Sequence, residues 1–172
     1  MKDLQFNDPK DKWAVLRKIK DELVMKPGLT MDDVDEHKPW GSYYRFVSND
    51  KQRFIDMYFK DLNVDVPGKV NPKYLIFEPG KKLSWQYHDR RDEIWKVIHG
   101  EVEAFYGPGD ELGEYKTYKE GETITYPVTT RHKGGASAKG WAIVAEIWRH
   151  VDTDNPSDEA DIIRISDDYG RV

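Results

Sequence analysis

The stretch Leu83-Ser84-Trp85-Gln86-Tyr87-His88 alternates polar and apolar residues, as a β-strand does when successive side chains point to opposite faces. Ser84, Gln86 and His88 then share one face, and Leu83, Trp85 and Tyr87 the other. Turned inward, a glutamine carbonyl oxygen and a histidine nitrogen both need partners, and a divalent cation satisfies both. Glu93 brings an anionic oxygen at the start of the next strand, and His132 follows Tyr126-Pro127 by a short turn. Gln86, His88, Glu93 and His132 together offer two nitrogens and two oxygens, a set suited to zinc or a similar borderline ion. The same spacing also fits an exposed edge strand with a loop histidine, and spacing leaves both readings open. His37, His99 and His150 read as surface residues in a connector, beside a turn glycine and at a strand end.

The elements that must position these groups fall into two parts. Residues 1–37 read as an N-terminal helical extension. Asp8-Pro9 supplies a cap and a first-turn proline, and Trp13, Leu16, Ile19 and Leu23 form one apolar stripe. Pro27-Gly28 ends that helix, and Thr30-Met31-Asp32-Asp33 opens a second short helical turn. Residues 38–172 read as a β domain. Strands are expected over 42–47, 53–60, 74–78, 83–88, 93–99, 101–106, 115–119, 122–126, 141–150 and 162–165. Turn signals separate them at Pro79-Gly80, Gly100, Gly107-Pro108-Gly109, Gly121 and Gly134-Gly135. Many short strands without intervening helices indicate a sandwich or barrel.

Composition narrows the classes of function. The chain has 172 residues, 27 Lys plus Arg against 32 Asp plus Glu, and a net charge of -5, a poor balance for a nucleic-acid binder. The absence of cysteine removes disulfides, thiolate metal sites and a Cys nucleophile. No apolar stretch approaches a membrane span and no signal peptide is visible, so a cytoplasmic location is expected. Six Trp, ten Tyr and six Phe compensate for a hydrophobic fraction of 38% by supplying large buried areas.

Four segments carry a family resemblance. They are Lys38-Pro39-Trp40-Gly41-Ser42-Tyr43; Pro79 to His88 with Glu93 and Trp95 in register; Tyr126-Pro127 with Thr130-Arg131-His132; and Asp161-Ile162-Ile163-Arg164 with Asp167-Asp168-Tyr169-Gly170-Arg171. Across about residues 38–171 the chain resembles the cupin superfamily, and within it the C-terminal isomerase domain of type II phosphomannose isomerases. The resemblance implies an all-β cupin fold, a double-stranded β-helix or jelly-roll barrel, holding one divalent metal, usually zinc. It implies interconversion of mannose 6-phosphate and fructose 6-phosphate, with Gln86, His88, Glu93 and His132 as metal ligands. Two positions depart from the family pattern. His88-Asp89-Arg90 stands where three histidines are common, which puts Arg90 at a ligand position, and Val128-Thr129 replaces the usual Ala-Gly.

Aldose–ketose isomerisation moves a proton between C1 and C2 through an enediolate, so it needs charge stabilisation and a base. Alternation over Trp141 to Trp148 puts Ala142, Val144, Glu146 and Trp148 on one face. Glu146 is then an acid among apolar neighbours whose pKa burial raises, or else a salt-bridged or solvent-facing residue. Glu146 and Arg131 are the catalytic candidates. Arg90, Lys82 and Arg171 are the candidates for holding a substrate phosphate, which suits arginine's planar fork. Isomerisation of a free sugar such as lyxose or mannose, and a non-catalytic sugar-binding barrel, are the alternatives. Pairing through sheet edges would give a homodimer. A chain of this length has no room for a nucleotidyltransferase domain, so guanylyl transfer is not expected of it.

Overall fold

The computed structural model describes residues 4–62 and 72–172. Eleven strands are present among them, arranged in two antiparallel sheets. The first sheet runs β1 (Met31–Lys38), β2 (Gly41–Phe46), β3 (Lys73–Phe77), β10 (Ala142–His150), β5 (Arg91–His99) and β8 (Thr123–Tyr126). The second runs β11 (Ile163–Ser166), β4 (Trp85–Tyr87), β9 (Arg131–Ala136), β6 (Glu101–Gly107) and β7 (Glu114–Lys119).

Strand alternation in the first sheet divides the core in two. Tyr44, Phe46, Tyr74, Ile76, Ile143, Ala145 and Ile147 face outward, onto a layer of helices. Leu75, Phe77, Trp95, Val97, Ala142 and Val144 face inward, against Val102, Ala104 and Ala136 of the second sheet. Glu146 and Trp148 continue the inner face of β10, and Arg91 and Glu93 that of β5. The site is therefore built where the inner face changes from apolar to polar at one end of the barrel.

The outer layer begins with α1 (Lys12–Ile19), which continues as a wider π-type segment over Lys20–Met25. Its cap is Asp11, whose Oδ1 accepts from the amides of Trp13 and Ala14; Asp8 and Pro9 lie in the preceding turn, not at the cap. Leu16, Ile19 and Leu23 pack against the sheet as the stripe requires, whereas Trp13 is 45% exposed and lies against His37. The turn ends at Pro27-Gly28, with Gly28 at φ 71.

Three expectations change. Residues 30–33 do not open a helix; they begin the edge strand β1, which pairs with β2, so a boundary at residue 37 falls inside a hairpin of the main sheet. Residues 53–60 are not a strand. Phe54, Ile55 and Tyr58 are spaced for one face of a helix, and α2 (Lys51–Tyr58) buries all three on the outer layer. Gly134-Gly135 is not a turn but the middle of β9. A Cβ on Gly134 would come within 2.5 Å of the Trp95 ring, and one on Gly135 within 2.1 Å of the Lys81 carbonyl oxygen. The two glycines let β9 pass over Trp95 and the Lys81-Lys82 backbone.

Candidate metal centre

His88, Glu93 and His132 come from different segments and are all buried; one ligand atom from each lies within 4.8 Å of the others. β4 delivers Gln86, β5 delivers Glu93 and β9 delivers His132. Gln86 and His132 are direct partners across the β4–β9 pair. His88 follows the end of β4, and its backbone carbonyl accepts from the amide of Thr129.

The ring nitrogens fix what the histidines offer. Nδ1 of His88 donates to the carbonyl oxygen of Asp161, and Nδ1 of His132 donates to that of Thr130 at 2.9 Å. Each Nε2 is then left with a lone pair aimed at Glu93, an orientation typical of metal-ligating imidazoles. His88 Nε2 lies 3.0 Å from Glu93 Oε1, and His132 Nε2 lies 3.4 Å from Glu93 Oε2. His132 Nε2 is buried without a hydrogen-bond partner. A lone pair facing a carboxylate oxygen calls for a proton or a cation between them. Tetrahedral zinc, with donors at about 2.0–2.1 Å, needs neighbouring donors about 3.3 Å apart, close to the spacings here. Gln86, whose carbonyl oxygen accepts from Ser84 Oγ at 2.6 Å, is buried and pairs with His132 in register, and it lines a cavity together with Glu93. The residues present therefore fit a divalent ion.

Arg91 is the site residue that the motif comparison overlooked. Its Nε donates to Glu93 Oε1 at 3.0 Å, and Nη2 lies 3.3 Å from His88 Nε2. Nη1 donates to Ser157 Oγ and the Asp158 carbonyl, both at 2.9 Å, and the guanidinium sits 3.6 Å over the Trp148 ring. Alternation from Glu93 and Trp95 would have found it, because Arg91 shares their parity. Arg90 does not share a face with His88. The chain bends at Asp89-Arg90 between β4 and β5, which resets the phase, and Arg90 donates outward to Asn155, Pro156 and Asp158. Burial pushes the Glu93 carboxyl up, but His88, Arg91 and His132 outweigh it and hold Glu93 well below the usual range.

A cavity of about 310 Å³ opens beside this cluster, lined by Gln86, Arg91, Glu93, Glu146 and Trp148 from the barrel and by Glu159, Ile162, Arg164 and Arg171 from the C-terminal segment. Glu146 is buried and accepts from Trp95 Nε1 at 3.0 Å. Burial, then the charge of Glu93, raise its pKa to about 8 against the partial offset of Lys73 and Arg91. Of the four basic candidates, Arg171 lines the cavity and is held by Asp167. Lys82 pairs with Glu103 at 2.7 Å, Arg131 with Asp110 at 3.0 Å over the Tyr87 ring, and Arg90 with the outer loop; none of these three lines it. Arg164, opposite Gln86 in register, does line it, and its Nε is buried without a partner. Thr129, which stands where the resemblance expects glycine, adopts φ 63, a conformation a β-branched residue rarely takes.

No family model matches the chain. Among curated proteins it is similar to the alginate biosynthesis protein AlgA of Pseudomonas aeruginosa, 26% identical over 156 residues, which are 90% of this chain and 26% of that protein. It is also similar to the mannose-1-phosphate guanylyltransferase ManC of Salmonella typhimurium, 26% identical over 136 residues, 79% of this chain and 23% of that protein. The chain thus spans about a quarter of the length of the curated relatives it matches. Among solved structures, CapF with a bound inhibitor superimposes with a TM-score of 0.51 at 17% identity, over 81% of this chain and 35% of that one. The capsular polysaccharide assembling protein CapF from Staphylococcus aureus gives 0.50 at the same identity, over 81% of this chain and 34% of that one. The fold is an all-β cupin. No helix among the described residues is long and apolar enough to cross a membrane.

Proposed function

We propose that the chain is a metal-dependent aldose–ketose isomerase acting on a sugar phosphate, with mannose 6-phosphate and fructose 6-phosphate as the substrate pair. The observation that carries this reading is the unpartnered Nε2 of His132 against Glu93, which lines a cavity together with a second buried carboxyl, Glu146, on a different strand. The names of the relatives, which concern alginate biosynthesis and mannose 1-phosphate, support a sugar-phosphate substrate. Guanylyl transfer is not part of the proposal.

Gln86, His88, Glu93 and His132 would hold the ion, with zinc the favoured metal. A divalent cation held there would supply Lewis-acid stabilisation of the negative charge that develops on the substrate oxygens. Glu146 takes the proton from C2 of the aldose and returns it to C1. Trp95 fixes Oε1 of that carboxyl, and Oε2, which no protein donor holds among the described residues, is the atom that carries the proton. With a pKa of about 8, the carboxyl is largely protonated at neutral pH, so its basic form grows as pH rises through that value. Arg91 keeps Glu93 ionised and oriented, and Arg164 and Arg171 present cations to the anionic end of the substrate.

The contact of Arg91 with His88 Nε2 favours a second reading, a sugar-binding barrel without a metal. Metal analysis separates the two: about stoichiometric zinc that is lost in His88→Ala supports the enzyme, and no metal under zinc-replete conditions supports the binder. Fructose 6-phosphate formation from mannose 6-phosphate then tests the reaction itself. Glu146→Gln should lower turnover by about 10²-fold or more while zinc content is retained. Turnover of mannose or lyxose without turnover of the phosphorylated sugar would reject the phosphate assignment.

A further inference from the structure

The inner face of β3 carries a lysine where the barrel interior begins. The Lys73 side chain is 8% exposed, with its ammonium 4.0 Å over the Trp148 ring and 5.8 Å from that of Tyr43. A buried ammonium needs an anion, because aromatic faces offset only part of its lost hydration. Its anion is Glu159, with Nζ to Oε1 at 2.5 Å. Glu159 is an unusual partner for such a site. It is 58% exposed and comes from the irregular segment between β10 and β11 rather than from the barrel wall, and the same oxygen also lies 3.5 Å from Arg45 Nη1. One exposed carboxylate thus reaches the cavity wall and places a single anionic oxygen between two cations.

We propose that Lys73 is an anion subsite of the cavity and that the Glu159 carboxylate occupies it as an internal stand-in, displaced when an anionic ligand enters. The identity of that ligand as the phosphate of a sugar phosphate rests on the function proposed above; the displacement itself does not. The other cations around the cavity support this division of roles. Arg91 is committed to Glu93, Ser157 and Asp158, Arg171 to Asp167, and Lys38 to Asp35. Arg164 lines the cavity with its buried Nε unpartnered, so once Glu159 leaves, Lys73 and Arg164 are the two cations presented to an incoming anion. Lys73 is also the register partner of Glu146, so an anion held there is gripped by the strand next to the one bearing the proposed proton carrier. A neutral sugar cannot replace the charge of Glu159 on Lys73, which makes the displacement a filter for anionic substrates.

The test is binding of inorganic phosphate by calorimetry at pH 8, using the protein as purified, Glu159→Gln, Lys73→Met and the double variant. Removing the competing carboxylate should tighten phosphate binding by about threefold to tenfold, the range expected for loss of one half-exposed ion-pair partner. Lys73→Met should weaken binding by about tenfold or more, and the gain from Glu159→Gln should vanish in its background. If Lys73→Met does not fold, as judged by thermal melting, Glu159→Gln decides alone, since glutamine keeps a carbonyl oxygen within reach of Lys73 Nζ and the added phosphate supplies the missing charge. Equal or weaker phosphate binding by Glu159→Gln overturns the proposal, as does a gain that persists without Lys73. Because no turnover is read, tighter binding by Glu159→Gln stands even if no sugar phosphate is isomerised. Conversely, isomerisation with unchanged phosphate binding in Glu159→Gln removes this inference and leaves the enzyme.

Discussion

Replacing Glu146 by glutamine removes an ionisable group while keeping its shape and its capacity to accept from Trp95 Nε1, so the consequence for stability is chiefly electrostatic. In the folded protein, burial and then the charge of Glu93 raise this carboxyl from 4.5 to about 8. The folded state therefore binds the proton more tightly than the unfolded chain does. The associated stability is full below pH 4.5 and is lost as pH rises through about 8. A shift of that size corresponds to about 5 kcal/mol as a ceiling; relaxation and water entry around a charged carboxylate bring the expected loss to about 2–5 kcal/mol. For a domain whose total stability is about 5–15 kcal/mol, that loss is large. The assay is urea unfolding of wild type and Glu146→Gln at pH 5.5 and pH 9, in chelator so that metal binding does not contribute. About 1.4 kcal/mol of the ceiling is already lost at pH 5.5, one unit above the unfolded value, so wild type should lose about 1.5–3 kcal/mol more than the variant between the two pH values, and groups common to both proteins cancel in the comparison. Parallel losses, equal within about 0.5 kcal/mol, would show that Glu146 is not held protonated and would remove the basis for its role as proton carrier.

Other substitutions probe the frame around it. Gly134→Ala drives a methyl to 2.5 Å from the Trp95 ring and should cost about 1–3 kcal/mol, with reduced turnover through the displaced Trp95–Glu146 bond; an unchanged melting temperature would contradict the packing argument. Glu93→Gln deprives the buried Arg91 of its carboxylate and should cost about 3–5 kcal/mol in chelator, together with loss of bound zinc by metal analysis. Thr129→Gly relieves a β-branched residue at φ 63 and should raise stability by up to about 1 kcal/mol, read as a higher melting temperature; a fall would mean that the Thr129 side chain contributes more than the strain it carries.

Much of the barrel was legible because period-two alternation survives wherever a strand has one apolar and one mixed face. Residues 141–150 show it plainly: Ile143, Ala145 and Ile147 go out to the helices, and Ala142, Val144, Glu146 and Trp148 go in. β1 was not legible, because an exposed edge strand of aspartates and glutamates is held by backbone bonds to β2 and needs no apolar pattern. β9 was hidden by its glycines, which signal a turn unless Trp95 and the Lys81 carbonyl are known to press against them. α2 reads as a strand by residue type, since phenylalanine, isoleucine and tyrosine favour sheets, and the spacing of Phe54, Ile55 and Tyr58 is the counter-signal.

Residue types and local periodicity determined which groups could ligate and that Gln86 shares a face with His88, and Glu146 with Ala142, Val144 and Trp148, because side-chain direction within one strand is a local property; that these faces turn inward was decided only by the closed sheets. They could not say which of two adjacent arginines enters the site. That depends on a bend at Asp89-Arg90 and on the C-terminal segment, 70 residues away in sequence, whose Ser157 and Asp161 receive Arg91 and His88. Nor could they place Glu159 against Lys73, a pairing separated by 86 positions. Contacts of that kind arise only when the chain closes on itself, since cavity walls drawn from distant segments leave no periodic trace in any of them.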